Sequence, residues 1–145
     1  MRGGAAVLCG LLLLTLSSHR GDAAGFGRQA VEPVDDSRSH VEQGFATYYA
    51  AFFDGRTTAS GSTFDNGAMV AAHPTLPFGT VVEVMHLATG KSVQVTIVDR
   101  GPAAGPRASG VIVDLSRAAA DALDFVHAGR ARVLLSIVEP AAAAE

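Results

Sequence analysis

The sequence predicts a mostly β fold, a small closed barrel with one or two short helices, and three observations predict it. Alternating apolar and polar residues recur from Thr80 onward, most clearly over Lys91–Val98. There Val93, Val95 and Ile97 share one face, and Ser92, Gln94 and Thr96 the other. The chain carries 16 Gly and 6 Pro, which punctuate these runs more often than a helical fold would need. Its one Cys, Cys9, lies in an apolar N-terminal run, so the domain itself has no disulfide. An exported β domain without disulfides gains from closing its sheet, because closure removes exposed strand edges.

Taken in order, residues 1–24 read as a secretory leader. Arg2 is followed by the apolar run Ala5–Leu16 and then by small residues ending in Ala23-Ala24, where cleavage is expected. The run is shorter than the roughly 20 residues of a membrane-spanning helix. No Cys follows it, so no lipid anchor is expected. Residues 25–43 lack an apolar period and read as a flexible linker. The domain is expected over Gly44–Glu139, with 140–145 as a tail.

Gly44–Tyr49 is rich in aromatic residues and reads as a strand. Asp54-Gly55 marks a turn, Thr57–Gly61 a polar loop, and Phe64-Asp-Asn-Gly67 a second turn. Pro74 and Pro77 exclude regular helix from His73 to Phe78. Thr80–Leu87 and Lys91–Val98 form two strands, joined by a hairpin in which Gly90 is free to take φ > 0. Gly101–Gly110 reads as a loop and Gly110–Leu115 as a strand. Ser116 is an N-cap for a helix over Arg117–Leu123, and Ala131–Val138 is the last strand.

Charge excludes some functions. The formal net charge is −3, and it becomes −4 once Arg2, Arg20 and Asp22 leave with the leader. No Lys/Arg cluster points to nucleic acid or to a membrane surface. The five His residues show no ligand spacing, so neither a metal nor another cofactor is expected.

Two stretches carry the chemistry, Met69–Thr80 and Val98–Pro102. In each, an apolar strand runs into an ionisable residue, His73 or Asp99, before Pro and Gly turn the chain. Asp99 continues the phase of Val93, Val95 and Ile97. That places it at the edge of the core, where desolvation raises a carboxyl pKa as an acid catalyst requires. The competing reading is a structural Asp that pairs with an Arg or caps the Gly101-Pro102 turn. His73 either bonds Asp99 or a ligand, or shuttles a proton, or packs beside Pro74 and Pro77. Asp65 is either a second carboxylate in the groove or an Asx-turn residue before Asn66-Gly67. Asp114 falls on the face opposite Val111, Val113 and Leu115 and is read as structural.

Gly44-Phe-Ala-Thr-Tyr-Tyr49, Thr58-Ala-Ser-Gly61, Phe64-Asp65, Ala71-Ala-His-Pro-Thr-Leu-Pro77, Gly79-Thr80, Val98-Asp-Arg-Gly-Pro102 and Val113-Asp-Leu-Ser116 occur in the order seen in the rare lipoprotein A (RlpA) family. The chain resembles that family over essentially all of Gly44–Glu139. The resemblance implies a six-stranded double-psi β-barrel and a periplasmic or secreted lytic transglycosylase. Such an enzyme cuts the MurNAc–GlcNAc bond of peptidoglycan glycan strands, preferably stripped of stem peptides, and leaves 1,6-anhydro-MurNAc ends. It implies Asp99, His73 and Asp65 as catalytic residues, Tyr48, Thr58, Ser62 and Arg100 as substrate-binding residues, and a monomer. One ring of the Tyr48-Tyr49 pair would meet a sugar while the other enters the core. The family often has Glu at the position of Ser62, which keeps a non-catalytic glycan-binding barrel as the alternative.

Overall fold

The computed structural model describes residues 40–142. The leader, the linker up to residue 39, and residues 143–145 of the tail lie outside the described residues. Six strands close into a barrel: β1 (Val41–Tyr48), β2 (Val70–Ala72), β3 (Val81–His86), β4 (Ser92–Asp99), β5 (Val111–Leu115) and β6 (Ala131–Glu139). Their order around the barrel is β1-β5-β2-β4-β3-β6. β1/β5 and β2/β4 pair in parallel, and the other neighbours are antiparallel. These two parallel pairs within one closed sheet make the double-psi barrel that the resemblance implies.

Alternation builds the core as expected. Val82 and Val84, Val95 and Ile97, Val113 and Leu115, and Val133 and Leu135 point inward from β3, β4, β5 and β6. The hairpin between β3 and β4 turns at Gly90, whose φ of 73° is in the left-handed region that suits glycine. Helix α2 (Arg117–Ala122) covers part of the core with Ala119 and Ala120, both fully buried. Its N-cap Ser116 accepts a hydrogen bond from Ala119 N and donates one to Ala68 O at 2.6 Å, so the same hydroxyl ties the helix to the chain entering β2. Phe125 follows as a buried plug. Truncating it to Ala would cost about 3–5 kcal/mol.

Two boundaries differ from the sequence reading. β1 starts at Val41, not Gly44, and Val41, Glu42 and Gln43 pair with Ser136, Leu135 and Leu134 of β6. Backbone pairing, which needs no apolar side chain, extends the strand into residues that read as linker. The expected loop at Gly101–Gly110 contains one helical turn, α1 (Ala104–Ala108). Pro106 is tolerated there because the first N–H groups of a helix have no intrahelical partner.

Candidate active site

The barrel brings three strand ends together at one rim. Ala72, the last residue of β2, pairs with Asp99 on one side and Asp114 on the other. β1 lies beyond β5, with Thr47 opposite Asp114, and Tyr49 follows directly. Ala72 is fully buried, so a methyl group is the spacer between the two carboxylate-bearing strands.

Asp99 is held by donors at both oxygens. Oδ1 accepts from the backbone N–H groups of Ala59 and Arg100, each at 2.8 Å, and Oδ2 accepts from the Tyr49 hydroxyl at 2.7 Å. The Thr57–Gly61 loop is fixed to the end of β4 a second time by Ser60 N donating to Val98 O at 3.2 Å. Asp99 also lines a pocket of about 230 Å³ with Tyr49, Phe53, Arg56, Thr57 and Phe64. The rings form a ladder leading out of it: Phe64 to Tyr49 at 4.3 Å, Tyr49 to Phe53 at 5.2 Å, and Phe53 to Phe52 at 4.2 Å. Phe52 is 64% exposed. Arg56 lies over Phe52 and Phe53, its Nε donating to Phe52 O.

The inward phase expected of Asp99 does not persist to the strand's end. Thr96 and Ile97 oppose Val70 and Ala71, but the next partner of Ala72 is Asp99, so Val98 is an extra residue. Such a bulge re-aims the side chain that follows it. Val95 and Ile97 are buried, whereas Asp99 is half-buried at the rim. The carboxyl that burial raises is that of Asp114: desolvation pushes it above its ordinary value, the Thr47 hydroxyl bond lowers it, and the charge of Asp99 raises it. The Tyr49 phenol is pushed far above its ordinary range by burial first, then by its bond to Asp99 and the charges of Asp99 and Asp114. It therefore stays a donor.

The other expected residues take the following places. The His73 ring does not bond the Asp99 carboxyl; the link is His73 N donating to Asp99 O at 3.2 Å. The ring is 1% exposed, its Nδ1 accepts from Thr75 N at 3.2 Å and Leu76 N at 3.1 Å, and its Nε2 is 3.4 Å from Glu42 Oε2. Asp65 is exposed and closes the Asx turn, accepting from Gly67 N at 2.8 Å. Tyr48 turns away from the pocket, its hydroxyl donating to Val126 O and its ring edge-on to Phe125, so Tyr49 and not Tyr48 lines the pocket. The Arg100 side chain braces the loop after β2, donating to His73 O and Leu76 O and stacking 3.8 Å over Phe78. The hydroxyls of Thr58, Ser60 and Ser62 bond one another. Arg56 and Phe53 went unmarked in the sequence; the turn at Asp54-Gly55, which delivers Arg56 into the pocket, was the available signal.

Although the His residues show no ligand spacing in sequence, folding gathers His40, Glu42 and His73 with their ligand atoms within 4.8 Å of one another. The tautomer argues against a metal. Two N–H groups point at Nδ1 of His73, so the neutral ring carries its proton on Nε2. Coordination through Nε2 would move that proton to Nδ1, against both donors. Glu42 instead bridges the two imidazoles as an acceptor.

Residues 41–135 match the lytic transglycolase family. Over 100 residues the chain is 54% identical to a probable endolytic peptidoglycan transglycosylase RlpA of Treponema pallidum, a match that covers 69% of this chain and 30% of that protein. It is 42% identical over 108 residues to the endolytic peptidoglycan transglycosylase RlpA of Pseudomonas aeruginosa, covering 74% of this chain and again 30% of the other. The match thus spans under a third of the length of these curated relatives. Among solved structures, an apo expansin of Clavibacter michiganensis superposes with a TM-score of 0.53 at 25% identity, covering 71% of this chain and 52% of the expansin. The Streptomyces papain inhibitor superposes at 0.55 and 24% identity, covering 69% and 96%, and shares the fold alone.

Proposed function

The chain belongs to the lytic transglycolase family, and from that premise we propose that it cleaves the MurNAc–GlcNAc bond of peptidoglycan outside the cytoplasm, as a monomer, leaving 1,6-anhydro-MurNAc ends. The observation that carries the proposal is the Asp99 carboxyl, held at both oxygens on the wall of an aromatic-lined pocket. Two relatives at 54% and 42% identity, named as endolytic peptidoglycan transglycosylases, support it.

The reaction needs one carboxyl group used twice. A proton passes from Asp99 to the glycosidic oxygen as the bond from C1 of MurNAc breaks. The C6 hydroxyl of the same sugar attacks C1 and gives its proton back to Asp99. The products are the 1,6-anhydro ring and a free hydroxyl on GlcNAc, and no water is consumed. Oδ1 already accepts two backbone N–H bonds, so Oδ2, with one bond from Tyr49, is the oxygen that exchanges the proton. Tyr49 orients that oxygen. The ring ladder from Phe64 to Phe52 offers apolar faces to successive sugars, and Arg56 offers a cation beside them. His73, buried and bonded to the loop after β2, positions that loop rather than touching substrate.

A second reading, a glycan-binding barrel without turnover, is favoured by one observation. Ser62, where the family often has Glu, offers only a hydroxyl, and that hydroxyl is bonded to Thr58 and Ser60. Incubating the protein with glycan strands stripped of stem peptides separates the two. Anhydro-ended fragments detected by mass establish the enzyme; retention on the strands without fragments establishes the binder. If turnover is limited by the missing carboxylate, Ser62→Glu raises the yield of fragments.

A further inference from the structure

A second cleft opens at the other end of β4. It has a volume of about 500 Å³ and is lined by Gln43 and Phe45 of β1, His86 and Leu87 at the end of β3, and Arg130 and Arg132 at the start of β6. Leu87 N donates to Arg132 O at 2.9 Å, which fixes the hairpin against β6. That hairpin leads into Ser92, the first of the eight residues of β4, and Asp99 is the last. Phe45 of this cleft and Tyr49 of the first lie four residues apart along β1 and its continuation, roughly 13 Å at the rise of a strand, and the two clefts share no lining residue.

Two guanidinium groups dominate this cleft. The Arg130 carbon lies 4.4 Å from the centroid of the Phe45 ring and that of Arg132 lies 6.0 Å from it. Among the described residues neither group has a carboxylate partner, whereas Lys91 pairs with Asp124 and Arg117 with Asp121. The ring attracts the cations without consuming their N–H donors. His86 Nδ1 is bonded to Leu123 O, so its Nε2 is the nitrogen left for a ligand. Two forked cations, side-chain amide and imidazole groups, and apolar surface on Phe45 and Leu87 therefore converge on one space.

We infer that this cleft is a second glycan site, which grips a sugar strand by its free carboxylates. A guanidinium fork matches a carboxylate in two parallel bonds, and the apolar wall suits the C–H face of a pyranose. The protein's net charge of −3 argues against a densely charged polymer such as nucleic acid. Two cations suit a strand with one carboxylate per repeat. The choice of a glycan rests on the function proposed above; the selection for carboxylate rests on Arg130 and Arg132 alone. In peptidoglycan those carboxylates are the lactyl groups of MurNAc, free only where stem peptides have been removed. Two sites on one barrel would hold a strand by avidity between successive cuts.

The test uses the Asp99→Asn protein, so that strands stay intact, and stripped glycan as the probe. We expect retention in 50 mM salt to fall about tenfold in Arg130→Gln/Arg132→Gln. An equal fall is expected when the strand carboxylates are reduced to alcohols. The side-chain Nε–H resonances of Arg130 and Arg132 should shift with stripped glycan and stay fixed with neutral chitin oligomers. Arg130→Lys/Arg132→Lys, which keeps charge but loses the fork, should retain less glycan than the parent. Unchanged retention by the Gln variant, equal retention of reduced strands, or resonances that respond equally to chitin would each overturn the inference. Anhydro fragments are scored separately in the Asp99 protein. If they are absent while the Arg-dependent retention persists, the proposed activity fails and the second site stands.

Discussion

Replacing Asp99 by Asn separates chemistry from structure. The amide keeps the shape of the carboxyl. With its oxygen toward Ala59 N and Arg100 N, it still accepts both backbone bonds, now at 2.8 Å. Its NH₂ then donates to the Tyr49 oxygen, reversing a bond that is 2.7 Å long. Hydrogen bonds of this kind contribute about 1 kcal/mol each. Weakening all three therefore costs about 1–3 kcal/mol, or roughly 5–20 °C in a domain of about 100 residues. The fold survives. The exchangeable proton does not, and positioned acid–base catalysis is worth about 10²–10⁴-fold. Turnover of stripped glycan, followed as anhydro-MurNAc ends by mass spectrometry below the variant's melting temperature, should fall by at least a hundredfold. A folded Asp99→Asn protein making fragments at the wild-type rate would falsify the assignment.

Three further outcomes follow from the geometry. Tyr49→Phe removes a donor to Asp99 and should lower turnover, whereas Tyr48→Phe loses only the bond to Val126 O and should lower the melting temperature, by the equivalent of about 1 kcal/mol, with turnover kept; the opposite pattern would exchange their roles. Burial holds the His73 pKa below its ordinary 6.5, with Glu42 opposing. Its unfolded form binds the proton more readily, so its contribution is present above pH 6.5 and is lost as pH falls through that value toward the folded pKa; His73→Gln should flatten this slope in melting curves, and parallel slopes would contradict the reading. Asp114 has the reverse sign. Its folded pKa is raised above 3.8, so its ionised form costs stability at neutral pH and the cost fades as pH falls. Asp114→Asn should thus melt higher than wild type at pH 7 and no higher near pH 3.8; an advantage at both would point to packing instead.

Most of the barrel was legible in the sequence because alternation and turn chemistry are local. Lys91–Val98 showed its inward face, Gly90 its turn and Ser116 its cap, and each is found within a residue or so of its expected place. Val41–Gln43 were hidden because Glu42 faces His40 and His73, and a polar side chain conceals the ladder that its backbone joins. α1 was hidden by Gly105 and Pro106, which read as loop residues in any context.

In the candidate site the Asp99 carboxylate is legible in the sequence and its surroundings are not, for a reason that lies in the topology. Asp99 stands out because a strand ends in Asp before Gly and Pro. Its environment depends on a bulge at Val98 that appears only when β2 is laid beside β4. Its donors come from Tyr49, 50 residues away, and Ala59, 40 away, and Asp114 approaches from the opposite side of Ala72. These positions converge because two parallel pairs in one closed sheet bring the ends of β1, β2 and β4 to the same rim. The convergence also constrains residues that carry no chemistry. A Cβ on Gly101 would lie 3.2 Å from both the Ala72 Cβ and the Asp114 Oδ2, and 4.0 Å from the Tyr49 hydroxyl. At that separation Ala72 or the Asp114 carboxyl must give by a few tenths of an ångström, so a side chain at 101 would press on the residues that flank Asp99.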